Sequence, residues 1–251
     1  MEVIQMTENL LNNLRLFGIR SGYLERIKQA TTDQASYEEF LNLALHDEKD
    51  YRHNAKIKRL LHRAAFKQSA SLEAIDYSPS RGLSKKVVNE LAVGRFTDEG
   101  TNIVISGPTG VGKSFLANGI GNNQCRKGKS VIFYRMNSLV EKIRLERAKG
   151  AYLNLLRKIS AFDLLILDDF GIKPLEAQEY QDIYDILDER GDEKSVIITT
   201  QVPPENWSEI IADPVTCEAV TDRIVSQSMA IKMKGESYRK NRKIQQVIDK
   251  D

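Results

Sequence analysis

With 251 residues, 41% of them hydrophobic and 29% charged, the chain can hold one large α/β domain with a smaller unit beside it, and its composition is neither that of a disordered nor of a membrane protein. A net charge of +2 gives no bulk attraction to nucleic acid, so any such argument must come from where the charges lie. Cys125 and Cys217 have no metal-ligand spacing and form no disulfide framework, no apolar run reaches transmembrane length, and no basic-then-apolar leader opens the chain, so a cytoplasmic protein with free thiols and no membrane partner is expected.

Residues 1–76 contain neither proline nor strand-like alternation, and a small all-α N-terminal domain is predicted there. Gly18 and Gly22 are expected to interrupt its first helical piece. Leu10, Leu11, Leu14 and Phe17 give one helical face, and Tyr37, Phe40, Leu41, Ala44 and Leu45 give another, with Asp33 and Ser36 as candidate caps. Residues 51–71 hold no acid at all. Within them Arg52, Lys56, Arg59, Arg63 and Lys67 recur at spacings of four, three, four and four, while Ile57, Leu60, Leu61, Ala64 and Ala65 fill another side. A row of cations on one side of a packed helix suits the backbone of duplex DNA; an ordinary solvated face and an acidic membrane surface are the alternatives, the last disfavoured by the lack of Trp. Five phosphate contacts predict a log-log salt slope of roughly −4.5 and carry little base information.

The Pro, Ser and Gly of residues 76–82 read as a linker, which places the domain boundary between residues 1–76 and 77–251. Residues 84–93 resume a helical pattern that Gly94 can end. A buried strand over 102–106 then leads into Gly107, Pro108, Thr109, Gly110, Val111, Gly112, Lys113 and Ser114, which match G-x-x-x-x-G-K-[ST] at every fixed position, and a helix follows. The glycines remove the Cβ atoms that would hold the backbone away from an anion, so a nucleoside triphosphate can rest on the positive end of that helix. Lys113 is expected to neutralise the β and γ phosphates, the Ser114 hydroxyl to hold Mg²⁺, and Phe115 to complete the nucleotide-lining set.

A second strand is predicted over 130–134 and a helical stretch over 137–160 with a break at Gly150. Arg144, Arg147 and Lys149 gather at that break, where they face a partner, a second stretch of nucleic acid, or only solvent. The aliphatic run 164–167 suits a strand buried on both faces, and it ends in Asp168 and Asp169 at the sheet edge where ligands bind. Asp168 is placed to order Mg²⁺ through its water shell, and Asp169 to orient or deprotonate the attacking water. Residues 195–200 form a further strand with Gln201 at its end, where an amide can touch the γ-phosphate or the water, and 229–233 is the fifth candidate. Strands alternating with helices over 100–233 predict a parallel, doubly wound sheet.

Together with Asp222-Arg223 and residues 235–239, these motifs resemble the AAA+ ATPases of the initiator and helicase-loader type. Within that group the chain is similar to the IstB-like transposition helpers, on the strength of Asp76-Tyr77, of Leu167-Asp168-Asp169-Phe170-Gly171 and of Lys234-Gly235-Glu236-Ser237. The resemblance implies an AAA+ P-loop NTPase with a five-stranded parallel sheet flanked by helices. It also implies ATP and Mg²⁺ as cofactors, a homo-oligomer with ATP at its subunit interfaces, remodelling of duplex target DNA, and recruitment or stimulation of an IstA-like transposase. On matching positions Gln201 is the first sensor, Arg223 an arginine finger reaching a neighbouring subunit, and Arg239 the second sensor. The chain departs from the wider pattern in three ways: Asp169 stands where Glu is usual, Gln201 stands where Asn is usual, and too few residues follow the fifth strand for more than a truncated C-terminal lid. A helicase loader of the DnaC type shares the same core and is the alternative function; a metabolic P-loop kinase is a third, disfavoured by the basic helix and by Arg223.

Overall fold

The computed structural model describes residues 2–77 and 79–238. The chain divides into two compact units between Arg59 and Leu60. In the N-terminal unit α1 (Glu2–Asn13) and α2 (Phe17–Thr32) are separated at Arg15, whose left-handed backbone (φ 56°) ends the first helix. Gly18 and Gly22, expected to break a helix, both lie inside α2. At Gly18 the reason is space: a Cβ there would stand 2.5 Å from the Cα of Glu48 in α3 (Tyr37–Ala64), so the glycine permits a close helix crossing. Glu48 uses that closeness. Its carboxylate accepts the N–H groups of Gly18 at 2.6 Å and Ile19 at 3.3 Å, donors at the start of α2 that lack intrahelical partners. Burial pushes the Glu48 carboxyl up, but Arg52 and these two N–H groups outweigh it and hold the group below its ordinary value.

Ser36 caps α3 as expected: its hydroxyl accepts the Glu39 N–H at 3.1 Å, and the Glu39 side chain accepts the Ser36 N–H at 2.7 Å. The basic row is shorter than its spacing predicts. Ala65 turns left-handed (φ 56°) and the helix stops at Ala64, so Lys67 follows the helix and does not extend the line of Arg52, Lys56, Arg59 and Arg63.

The second unit is built on α4 (Lys85–Val93), β1 (Asn102–Ser106), α5 (Lys113–Arg126), β2 (Val131–Arg135), α6 (Met136–Ala148), α7 (Tyr152–Ser160), β3 (Leu164–Phe170), α8 (Ala177–Arg190), β4 (Ser195–Thr200), α9 (Pro214–Val225) and β5 (Ser228–Lys232). All five strands are parallel, in the order β2-β3-β4-β1-β5, and β2 and β5 each sit one residue from their predicted spans. Alternation within each strand fills two cores. Ile103, Ile105, Leu164, Ile166 and Ile197 face Leu91 of α4 and Leu116 and Ile120 of α5. Val104, Leu165, Leu167, Val196 and Ile198 face Leu139 of α6, Ile159 of α7, Ile183 of α8 and Val220 of α9. Helices on both faces are what make continuous aliphatic strands stable in water. The predicted ends hold: Ser84 caps α4, Gly94 closes it in the left-handed region (φ 83°), and Gly150 (φ 68°) parts α6 from α7.

The unit also takes in more of the chain than the composition of 76–82 suggests. Leu60, Ala64 and Leu72 are buried in the first core, with Leu61, Ile75 and Tyr77 packed against it, so the compact unit starts at Leu60 and not after the expected linker. Among the described residues no helix is long and apolar enough to cross a membrane.

Candidate nucleotide site

β1 ends at Ser106, and the chain turns through Gly107 (φ 149°), Gly110 (φ 83°) and Gly112 (φ 104°) before α5 begins at Lys113. These are left-handed conformations that a side chain would strain. Val111 anchors the loop from inside, fully buried, while Pro108 and Thr109 are exposed and Ser114 and Phe115 half-buried in the first turn of α5. The N–H groups at the start of α5 and the positive end of its dipole therefore meet at one place. Lys113 is buried, and its ammonium donates to the carbonyls of Gly107 at 2.7 Å and Pro108 at 2.8 Å, both in the loop itself.

The acidic pair lies two strands away. β3 neighbours β4, which neighbours β1, so about 10 Å of sheet separates Asp168 from the strand that carries the loop. Asp168 is buried and accepts the Thr199 hydroxyl at 2.6 Å; Asp169 is half-buried, left-handed (φ 65°), and donates its N–H to the same Thr199 oxygen at 3.0 Å. Among the described residues no three His, Cys, Asp or Glu side chains gather to hold a metal. A hydroxyl and one carboxylate fit Mg²⁺, which is commonly bound by few protein ligands together with substrate phosphates. Gln201 is exposed at the carboxyl end of β4.

Arg223 lies at the opposite edge. Asn102, the first residue of β1, donates to the carbonyls of Arg223 and Ile224 at 3.1 Å each, so the length of β1, about 13 Å, separates that backbone from the loop after Ser106. Its guanidinium pairs with Asp188 and, at 3.5 Å, with Asp192; a side-chain bond to Tyr184 and the Asp188 charge push its pKa up. Arg239 lies outside the described residues. Arg144 pairs with Glu179 and Arg147 with Asp182, both on α8, and Lys149 with Glu146 at 3.1 Å, so these three cations already have internal acidic partners. Arg63 has its guanidinium 5.2 Å from the ring centre of Phe162.

One contact of the site, that of Arg81, carries no motif signal. The segment read as a linker is bound to the tail beside the loop: Arg81 is buried, donates to the Glu236 carbonyl at 2.6 Å and stacks on Tyr238 at 3.6 Å. Tyr238 donates its hydroxyl to Asp76 at 2.7 Å and its N–H to the Gly110 carbonyl at 3.0 Å. A Cβ on Gly110 would stand 2.0 Å from the Ser237 hydroxyl, so the glycine that frees the loop for an anion also admits the tail.

A parallel sheet of order β2-β3-β4-β1-β5, with a glycine-rich anion cradle after β1 and an acidic pair ending β3, defines a P-loop ATPase of the AAA+ class. Solved structures share the fold. A crystal structure of the DnaC helicase loader matches with a TM-score of 0.53 and 21% identity over 66% of this chain and 97% of that one. AMPPCP-bound DnaA from Aquifex aeolicus matches at 0.57 and 17%, over 74% of this chain and 56% of that one. The family described as IstB-like ATP binding protein matches residues 9–246, and the chain belongs to it. Relatives include the insertion sequence ATP-binding protein y4pL of Sinorhizobium fredii, 37% identical over 94% of this chain and 97% of its own length. The ATP-binding protein of insertion sequence IS21 from Pseudomonas aeruginosa is 30% identical over 92% and 88%.

Proposed function

We propose that this chain is an ATP-dependent, DNA-binding helper of transposition. Carrying ATP at its subunit interfaces, it oligomerises on duplex DNA in the cytoplasm, remodels the target, and recruits or stimulates a transposase. The observation that carries this reading is the near-full-length similarity to ATP-binding proteins of insertion sequences.

In this reading the N–H groups of the loop and of the first turn of α5 receive the phosphates, and Lys113 exchanges two backbone carbonyls for β and γ oxygens. Ser114 and Asp168 would hold Mg²⁺, which when bound neutralises phosphate charge. Asp169 orients the attacking water and takes its proton; as an aspartate it reaches one bond less far than the usual glutamate, which predicts slow turnover. Gln201 contacts the γ-phosphate from the end of β4. Arg223, about 13 Å of strand away from its own loop, serves a neighbour's nucleotide, so the charge that stabilises the transition state arrives only on assembly. Arg239 is proposed as the second sensor. Arg52, Lys56, Arg59, Arg63 and Lys67 are proposed to neutralise DNA phosphates.

Particle size and DNA binding, measured together with ATP, with ADP and without nucleotide over a salt series, test the proposal. Large complexes that require both ATP and duplex DNA are expected. Their salt slope should lie between roughly −1.8, if only Lys56 and Arg59 engage while Arg52 stays on Glu48, and roughly −4.5, if all five cations do. An ATP-binding monomer indifferent to DNA would overturn the proposal. Stable capture of a replicative helicase, with none of a transposase, would favour the loader reading that likeness to the DnaC fold supports.

A further inference from the structure

We propose that Thr199 is a positioning residue for ATP hydrolysis, its single hydroxyl setting the geometry of both acids at the end of β3. The inference rests on the hydrolysis reading above and adds a residue to it.

Three observations converge on Thr199. It sits one residue before the end of β4 and is fully buried, so its hydroxyl must find partners inside the protein. Its O–H donates to Oδ1 of Asp168 at 2.6 Å, and its oxygen accepts the Asp169 N–H at 3.0 Å. The pairing of β3 with β4 is regular through Leu167 and Ile198, then slips and resumes at Phe170 and Thr200, leaving the two acids within an irregularity of the ladder. In that gap the Thr199 side chain does what the neighbouring strand's backbone does elsewhere.

Two physical consequences follow. Donation to Oδ1 restrains the rotation of a buried carboxylate and leaves its second oxygen for other partners. Acceptance from the Asp169 N–H helps hold a non-glycine residue in the left-handed region (φ 65°), a conformation that persists only where surroundings enforce it. Turning the backbone at Asp169 sends the second acid out of the alternation of the strand. Thr199 would thus act on hydrolysis through the two acids it bonds.

The test compares Thr199→Val, which keeps the shape and removes the hydroxyl, with Thr199→Ser, which keeps the hydroxyl. Each full-length protein is assayed with ATP, Mg²⁺ and duplex DNA. For Thr199→Val, turnover should fall by on the order of 10- to 100-fold, the usual range when a supporting hydrogen bond behind a metal or catalytic ligand is lost. The Mg²⁺ concentration for half-maximal rate should rise, and ATP affinity should stay within about threefold. Thr199→Ser should restore turnover to within about fivefold of wild type. If the valine variant fails to fold, Thr199→Cys, a weak donor of similar size, should show an intermediate loss of rate with the same Mg²⁺ shift. Wild-type turnover and Mg²⁺ dependence in a folded variant lacking the hydroxyl would overturn the inference and leave the hydrolysis reading standing. Parallel loss of ATP binding and turnover without serine rescue would also overturn it, since that marks a purely structural residue. Absence of hydrolysis in the wild-type protein would defeat the reading on which the inference rests.

Discussion

Lys113 and Arg190 are both buried cations held by backbone carbonyls, and they stand at opposite edges of one sheet. Lys113 is 8% exposed and Arg190 4%, so burial does not tell them apart. Their partners do. The carbonyls on Lys113 belong to Gly107 and Pro108, in a loop whose glycines leave its backbone strained for side chains and open to an anion. Arg190, the last residue of α8, donates to Ile159 at 3.1 Å and Phe162 at 3.0 Å through one nitrogen, and to Asp163 at 3.3 Å and Ser195 at 2.8 Å through the other. It joins the end of α7, the turn into β3 and the start of β4. Burial pulls its pKa down to about 10, and still the carbonyls retain the guanidinium. A cation on the carbonyls of an anion-binding loop suits a ligand site, whereas one on carbonyls at the ends of three elements is a joint.

Substituting each in turn sharpens that contrast. Lys113→Ala has the larger expected effect: ATP affinity, read by titration with a fluorescent analogue, should fall on the order of a thousandfold, or ~4 kcal/mol. Its unfolding free energy without nucleotide should stay within about 1 kcal/mol of wild type, because a phosphate-binding lysine does little for the empty fold. Normal ATP binding by this variant would remove Lys113 from the site. Arg190→Leu should behave in reverse. Carbonyls at the ends of three elements lose their donor, and urea unfolding should report a loss of about 3 kcal/mol. ATP affinity of the folded protein should change less than about threefold. A large affinity loss with unchanged stability would mean that the amino edge of the sheet is part of the site.

The same contrast explains what was legible in the sequence. The loop after β1 and the acids ending β3 depend on short-range spacing, and uninterrupted aliphatic runs mark the strands that carry them. Partners distant in sequence left no such mark. Residues 76–82 have the composition of a linker because Pro, Ser and Gly report local turn preference, whereas Arg81 takes its meaning from Glu236 and Tyr238. Thr199 reads as strand filler among Val196, Ile197, Ile198 and Thr200; only the slipped register between Leu167 and Phe170 puts its hydroxyl between two acids. Arg144 and Arg147 form a basic cluster on paper, yet Glu179 and Asp182 meet them from α8. Gly18 and Gly22 announce a helix break by propensity, and a close crossing at Gly18 reverses that reading. The spacing of the basic row counts one cation too many, Lys67, because Ala65, a good helix former, is turned left-handed.

The smallest effect separates a second joint at the amino edge from the solvent beside it. Asp163, just before β3, accepts both the N–H and the hydroxyl of Ser130 at 2.7 Å. Burial pushes its carboxyl up, but the two Ser130 bonds, with Lys129 and Lys194 nearby, prevail and hold it below its ordinary value. The folded chain therefore binds this proton less readily than the unfolded chain does. The resulting stability is fully present above the unfolded-state pKa and is lost as pH falls through the folded-state value. Asp163→Asn keeps the shape and removes the titration, so its unfolding free energy should decline less than that of wild type as pH is lowered through the carboxylate range, with the two proteins most different at neutral pH. Parallel pH profiles would show that Ser130 holds the neutral and charged forms equally, and that the joint is one of shape alone.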